Sequence, residues 1–287
     1  MTLRWDGLQL DIPAGMEPVI LDRGFVRLAA GDHEGGADAP PRTLDLRFGP
    51  EKGPFDPHRD GRRLLKASGL DGADLTPFRP SWTCAAAGGI WSDGHAAPRL
   101  FVLHFREEKG VVAALFPSPP SPALLQATLG TLGWAPPDAW RRWNCYDLAF
   151  ETPPGFALAK ASFRPGAFRI ELTKGADVLA FDRLAPAGVH LSGESLAAWL
   201  GRFVQRRQGR EVAVTAEGPE LARFETPVPP WRRILPLLPG GSGRVRGRAR
   251  HDTAANRILV LTERGPLIPS PDFERIFSAY AATPLQS

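Results

Sequence analysis

Trp5-Asp6-Gly7-Leu8-Gln9-Leu10-Asp11-Ile12-Pro13-Ala14-Gly15-Met16 opens the chain, and Trp143-Asn144-Cys145-Tyr146-Asp147-Leu148-Ala149-Phe150-Glu151-Thr152-Pro153-Pro154-Gly155-Phe156 repeats its plan about 140 residues later. In both, an aromatic residue starts an alternating stretch: Leu8, Leu10 and Ile12, then Tyr146, Leu148 and Phe150. Period-2 alternation is the mark of a half-buried strand. In both, a Pro-x-Gly turn ends it. The halves also end alike, because Ser121-Pro122-Ala123-Leu124-Leu125 answers Ser270-Pro271-Asp272-Phe273-Glu274. Agreement at both ends marks an internal duplication. Two domains are therefore expected, over 1–134 and 143–287, joined by a Pro-rich linker over 135–142.

Bulk composition agrees. A chain of 287 residues suits two domains, each able to bury a core without disulfides or metals. Thirty Pro and thirty Gly imply many turns and short elements. No apolar run is long enough to span a bilayer, and the start shows no apolar signal segment, so a cytoplasmic protein is expected. Cys84 and Cys145 share no motif spacing and are expected as buried free thiols.

Charge is shared unevenly. Residues 1–140 hold 14 Lys and Arg against 17 Asp and Glu, a net of −3, whereas residues 141–287 hold 21 against 14, a net of +7. The basic character belongs to the second half.

Strands are expected around Leu8–Ile12, Phe25–Leu28, Leu44–Phe48, Leu100–Phe105 and Val111–Phe116, with a weak helix near Asp60–Ala67. A helix capped by Ser121 presents Leu124, Leu125, Leu129 and Leu132 on one face. In the second half, a helix from about Glu194 to Gln208 places Leu196, Trp199, Leu200 and Phe203 at i, i+3, i+4 and i+7, with Ser192 as its candidate cap. A closing helix, with Ser270 as cap, carries Phe273, Ile276, Phe277 and Tyr280. The order is the same twice: three strands, a helix, several antiparallel strands, a C-terminal helix. That is an α+β layer architecture.

This plan resembles the Mog1/PsbP-like α/β/α sandwich. The matching segments are Leu8–Met16 with Leu124–Leu132, and Leu148–Phe156 with Phe273–Tyr280. The resemblance covers nearly the whole chain as two tandem copies and implies binding rather than catalysis. Mog1-like proteins bind a small GTPase, PsbP-like proteins a photosynthetic membrane complex, and Eag-type secretion chaperones hydrophobic effector segments as homodimers. No shared catalytic set exists to carry over. The chain is similar to a covalent version of such a dimer, so a monomeric pseudo-dimer that acts as adaptor or chaperone for another protein is expected.

Candidate chemistry is sparse. His33, His58, His95, His104, His190 and His251 show no metal-ligand spacing, so no metal or cofactor is expected, and the histidines are read as solvent-exposed or capping residues. Nothing resembles a nucleophile elbow. An enzyme with its site between the halves stays as an alternative. The sharpest local pattern is Arg244, Arg246, Arg248 and Arg250, alternating with Val245, Gly247 and Ala249. A strand would put all four guanidinium groups on one face, where acidic neighbours, solvent or an anionic partner must offset them. Nucleic acid is disfavoured because no aromatic residues interleave with them. The small residues on the opposite face would fit beneath a helix, and Arg232, Arg233, Arg206, Arg207 and Arg210 would add to the basic patch if they lie close. Trp231, Ile234, Leu235, Leu237 and Leu238 form an apolar stretch, read either as a cover for the sheet or as a lip for an apolar partner. Trp134, Trp140 and Trp143 are expected to pack between domains.

Overall fold

The computed structural model describes residues 1–30, 43–69, 72–136, 138–209, 212–226, 245–265 and 268–282. The chain forms two compact units, Met1–Tyr146 and Asp147–Leu285. The division falls after the Pro-rich stretch and not within it. Residues 141–145 form a strand of the first unit, with Asn144 opposite Arg4 and the Asn144 side-chain amide donating to the Thr2 carbonyl at 2.7 Å.

In the first unit the elements run β1 (Thr2–Trp5), β2 (Leu8–Asp11), β3 (Met16–Asp22), β4 (Phe25–Ala30), β5 (Thr43–Pro50), α1 (Pro57–Leu65), β6 (Thr76–Pro77), β7 (Gly89–Ser92), β8 (Leu100–Phe105), β9 (Gly110–Leu115), α2 (Pro122–Thr128), β10 (Gly133–Trp134) and β11 (Arg141–Cys145). In the second they run β12 (Leu148–Thr152), β13 (Ala157–Arg164), β14 (Ala167–Lys174), β15 (Asp177–Leu184), α3 (Ala187–Leu191), α4 (Leu196–Gln208), β16 (Ala213–Ala216), β17 (Leu221–Glu225), β18 (Val245–Asp252), β19 (Arg257–Arg264), α5 (Ser270–Ala279) and β20 (Ala281–Ala282).

Each unit is built on a seven-stranded antiparallel sheet, and the two orders match strand for strand: β3-β4-β5-β9-β8-β7-β6 and β13-β14-β15-β19-β18-β17-β16. Finer irregularities match too. Edge strand β3 has a bulge between Pro18 and Ile20, and edge strand β13 has one between Leu158 and Lys160. Bulges bend an edge away from further pairing. Both β3–β4 and β13–β14 turn through a glycine in the left-handed region, Gly24 at φ 63° and Gly166 at φ 79°. The carbonyl of each accepts a backbone bond, from Phe48 at 3.0 Å and from Ala185 at 2.8 Å. β3 and β13 were not separable from their neighbours in the sequence, because these edge strands are largely exposed and lack a clean alternation.

The inner strands are covered on both faces. All six residues of β8 and five of six in β9 are buried. On one face Leu100, Val102, Val111 and Ala113 pack with Leu65 of α1 and with Leu75. On the other, Phe101 meets Phe116, Trp82 and Phe78 edge-on. In the second unit, Leu196, Trp199, Leu200 and Val204 of α4 cover Ala222, Phe224, Val245, Ala249, Ile258 and Val260. On the opposite face Phe181 stacks on Phe150 at 3.9 Å and meets Tyr280 edge-on at 5.2 Å. The units are α+β, with helices layered on antiparallel sheet.

Caps correct two expectations. Ser195, and not Ser192, caps α4 by accepting from the Ala198 amide; Ser192 ends the separate short helix α3 in the left-handed region. Ser270 is the first residue of α5, which Pro269 precedes as the cap. Ser121 caps α2 through the Leu124 amide, as its sequence position implied.

A Cβ on Gly166 would meet the Ala185 carbonyl oxygen at 2.8 Å, whereas one on Gly175 (φ 58°) meets nothing. Gly166→Ala is therefore expected to destabilise by about 1–3 kcal/mol, and Gly175→Ala by only about 1–2 kcal/mol. Urea denaturation of the two variants checks this, and a larger loss at Gly175 contradicts it.

Candidate functional site

The arginine face of β18 lies beneath α5. Arg244 falls outside the described residues. The other three guanidinium groups are all engaged within the second unit. Arg246 donates through Nε to Glu263 at 2.6 Å, through Nη2 to the Ile268 carbonyl at 2.7 Å and through Nη1 to the Ser270 hydroxyl at 3.2 Å. Arg248 bonds Glu217 at 2.6 Å and also Glu274, and Arg250 donates to the Tyr280 carbonyl. The rings of α5 receive the same cations: Arg246 sits 4.3 Å from the Phe273 centroid, and Arg248 and Arg250 sit 4.7 and 5.7 Å from Phe277. Geometry explains the match. Two strand residues advance about 6.7 Å and four helix residues about 6 Å, so alternate arginines meet ring positions one helical turn apart. Glu263 is fully buried. Burial pushes its carboxyl above the ordinary carboxylate range, against the pull of the Ile268 amide and of Arg246. On the opposite face of β18, Val245 and Ala249 pack under α4, and Gly247 has the Phe224 ring against it. A groove of about 530 Å³ borders the ladder. Its walls bring Arg223, Arg246 and Arg248 together with Glu225 and Glu274. With Glu263 and Glu217 bound to the arginines, acidic groups outnumber basic ones there.

Further cations lie on the other side of the sheet. Arg207 of α4 is among them and so is not part of the β18 ladder, and Arg210, Arg232 and Arg233 fall outside the described residues. A groove of about 500 Å³ between α3 and α4 is lined by Leu184, Val189, His190, Trp199, Phe203, Arg202, Arg206 and Arg207. Trp199 and Phe203 are stacked at 4.9 Å, and the Arg207 guanidinium lies 4.9 Å from the Phe203 ring. Val189 is 69% exposed, the most exposed large apolar side chain among the described residues. Arg202 pairs with Glu194, and Arg206 pairs with no carboxylate among the described residues. Beyond the C-terminal end of α4 lies a second cleft, of about 410 Å³, lined by Arg169, Glu171, Val178, Ala180, Arg207, Thr262 and Arg264. Beside it Asp182, 1% exposed, binds Arg169 at 2.5 Å and Arg207 at 3.0 Å.

Trp134 and Trp143 both belong to the first unit's own core. Trp134 meets Phe48 edge-on at 5.9 Å, and Trp143 meets Trp5 edge-on at 5.6 Å. Trp140 is partly buried. The apolar stretch with Trp231, Ile234, Leu235, Leu237 and Leu238 lies outside the described residues. Asp56 caps α1 by accepting from the Arg59 amide at 2.7 Å, and buried Asp60 pairs with Arg59 at 2.8 Å, so the acidic groups around His58 serve helix capping and ion pairing. His104 departs from expectation: it is 6% exposed, stacks on Phe55 at 3.9 Å and bonds Glu51 at 2.9 Å. Cys84 is half-buried and Cys145 buried, both as free thiols. No cluster of three His, Cys, Asp or Glu with metal-binding geometry occurs among the described residues.

The α4 clefts were missed because their arginines are scattered over 169, 202–207 and 264 and show no period. Only the basic last turn of α4, Arg206-Arg207, hinted at them. No family model matches the chain, and no curated protein matches it. No helix among the described residues is long and apolar enough to cross a membrane.

The ladder's role in stability is testable. Arg246→Ala leaves buried Glu263 without its cation and is expected to cost about 3–5 kcal/mol. The double variant Arg246→Met with Glu263→Gln is expected to recover most of that loss. Chemical denaturation decides, and a fully stable Arg246→Ala protein contradicts the assignment.

Proposed function

We propose that the chain is a tandem pair of Mog1/PsbP-like units that binds another polypeptide, as a cytoplasmic adaptor or chaperone rather than a catalyst. The α3–α4 groove of the second unit is the docking place in this reading. One observation carries it. An aromatic pair, Trp199 and Phe203, lines an open groove beside highly exposed Val189, with Arg202 and Arg206 at its rim. Apolar contact area framed by cations is the composition expected of a surface for an apolar segment with acidic flanks. The tandem reading is supported by the matched strand orders and by the matched edge bulges. The Eag-type chaperones that the plan resembles bind hydrophobic effector segments as homodimers, and a chain carrying both copies would be a covalent version of such a dimer.

The test places a photo-crosslinking amino acid at Val189, with Val19 of the first unit (46% exposed) as control. A discrete crosslinked polypeptide from the native cell extract is expected at position 189 and not at 19, and it should be lost when Arg202 and Arg206 are both changed to Glu. No adduct at 189, or equal adducts at both positions, contradicts the proposal.

A further inference from the structure

We propose that the cleft beyond the C-terminal end of α4, lined by Arg169, Arg207, Thr262 and Arg264, is a binding site for a single carboxylate group. In the first unit Arg27 of β4 faces Asp45 of β5 and holds it through two bonds, of 2.6 and 2.7 Å. In the second unit Arg169 of β14 faces Asp182 of β15 and holds it at 2.5 Å. Counted from the glycine turns at Gly24 and Gly166, the two pairs occupy the same positions: Arg27 and Arg169 each stand three residues after the turn glycine. An arginine–aspartate pair between these neighbouring strands is thus common to both units, and one arginine is enough to neutralise one aspartate.

The second unit adds cations to this pair. Arg207, from the last turn of α4, reaches the Asp182 carboxylate at 3.0 Å, and Arg264, at the end of β19, opens onto the same cleft. Arg264 pairs with no carboxylate among the described residues. Among the described residues lining the cleft, the only added acid is Glu171, which takes Nε of Arg169 at 2.6 Å. Three arginines therefore stand against two carboxylates, leaving one positive charge over. That surplus suits a monoanion. A guanidinium carries five donors, and the planar fork matches a carboxylate's two oxygens. Asp182 takes Arg207 through Nη2 at 3.0 Å, and Arg264, which pairs with no carboxylate among the described residues, brings a whole guanidinium fork to the cleft. Asp182 also fixes the direction of two of the three guanidinium groups, which lowers the ordering cost of binding. Thr262, whose side chain lines the cleft, adds a hydroxyl donor. The floor is Val178 and Ala180, small apolar residues that leave room for the carbon behind a carboxylate. This goes beyond the α3–α4 groove. The groove can be filled while the cleft stays empty, and a small carboxylate can fill the cleft with no polypeptide present.

The test is a titration of the full chain with sodium propionate, against sodium chloride at matched ionic strength, read by NMR at the arginine Nε–H resonances. Saturable shifts confined to Arg207, Arg169 and Arg264 are expected with propionate only. Arg264→Ala, with Arg264→Gln as a second variant, should weaken binding by about tenfold or more, while Arg223→Ala, on the opposite sheet face, leaves it unchanged. Val189→Asp should spare propionate binding while blocking the α3–α4 groove, so the two proposals fail separately. A second arm compares a pentapeptide bearing one central Glu with its Gln counterpart. Tighter binding of the Glu peptide than of propionate assigns the carboxylate to a polypeptide; equal binding assigns it to a small molecule. Shifts that chloride reproduces, or that survive loss of Arg264, overturn the proposal.

Discussion

Where helices and loops pack on both faces of a sheet, as at the strands next to its middle, the side chains there must find partners other than bulk water. In the first unit the demand is met with hydrocarbon: β8 places Phe101, Leu103 and Phe105 on one face and Leu100 and Val102 on the other. In the second unit the strand at the same place in the sheet, β18, carries Arg246, Arg248 and Arg250 on the corresponding face. Guanidinium groups can be tolerated there only with their counter-charges in place. Glu263, Glu217, Glu274, the Tyr280 carbonyl and the rings of α5 supply the compensation. The helix that closes the second unit is thereby bound to it by charge as well as by apolar contact.

The same constraint sorts the arginines of the second unit. Those on the α5 side are spent inside the fold. Those on the α4 side, past the point where α4 stops covering the sheet, face open clefts. Among the described residues of the second unit, positive charge is therefore divided between two jobs on opposite faces, and Arg206 and Arg264, which pair with no carboxylate there, both lie on the α4 side. The first unit holds the equivalent Arg27–Asp45 pair, with no second arginine bonded to Asp45 among the described residues, so the added cations set the second unit's described residues apart from the common plan.

Much of the plan was legible in the residues. The paired strand openings, the closing helices and the apolar stripes of α4 and α5 rest on strong periodicity; Leu196, Trp199, Leu200, Phe273, Ile276, Phe277 and Tyr280 are buried as read, while Phe203 is partly buried and lines the α3–α4 groove. The alternation of arginines with Val245, Gly247 and Ala249 correctly implied a strand with a helix over its small face. What could not be read was which way the charge would be settled. Glu263, Glu217 and Glu274 stand 17, 31 and 26 residues from their arginines, and no local pattern joins them. The cleft around Asp182 was illegible for the same reason, because three strands and a helix end contribute one or two residues each. That β11 belongs with the first unit was not legible, because a Pro-rich stretch looks like a linker, while the pairing of β11 with β1 depends on a partner far back in the chain.

The sorting of arginines by sheet face is the central claim, and one paired measurement addresses it most directly: unfolding free energy and propionate affinity, determined together for Arg248→Ala and Arg264→Ala. Arg248→Ala should lose stability and keep its affinity, whereas Arg264→Ala should keep its stability and lose affinity. A stable Arg248→Ala protein that no longer binds the anion would contradict the account.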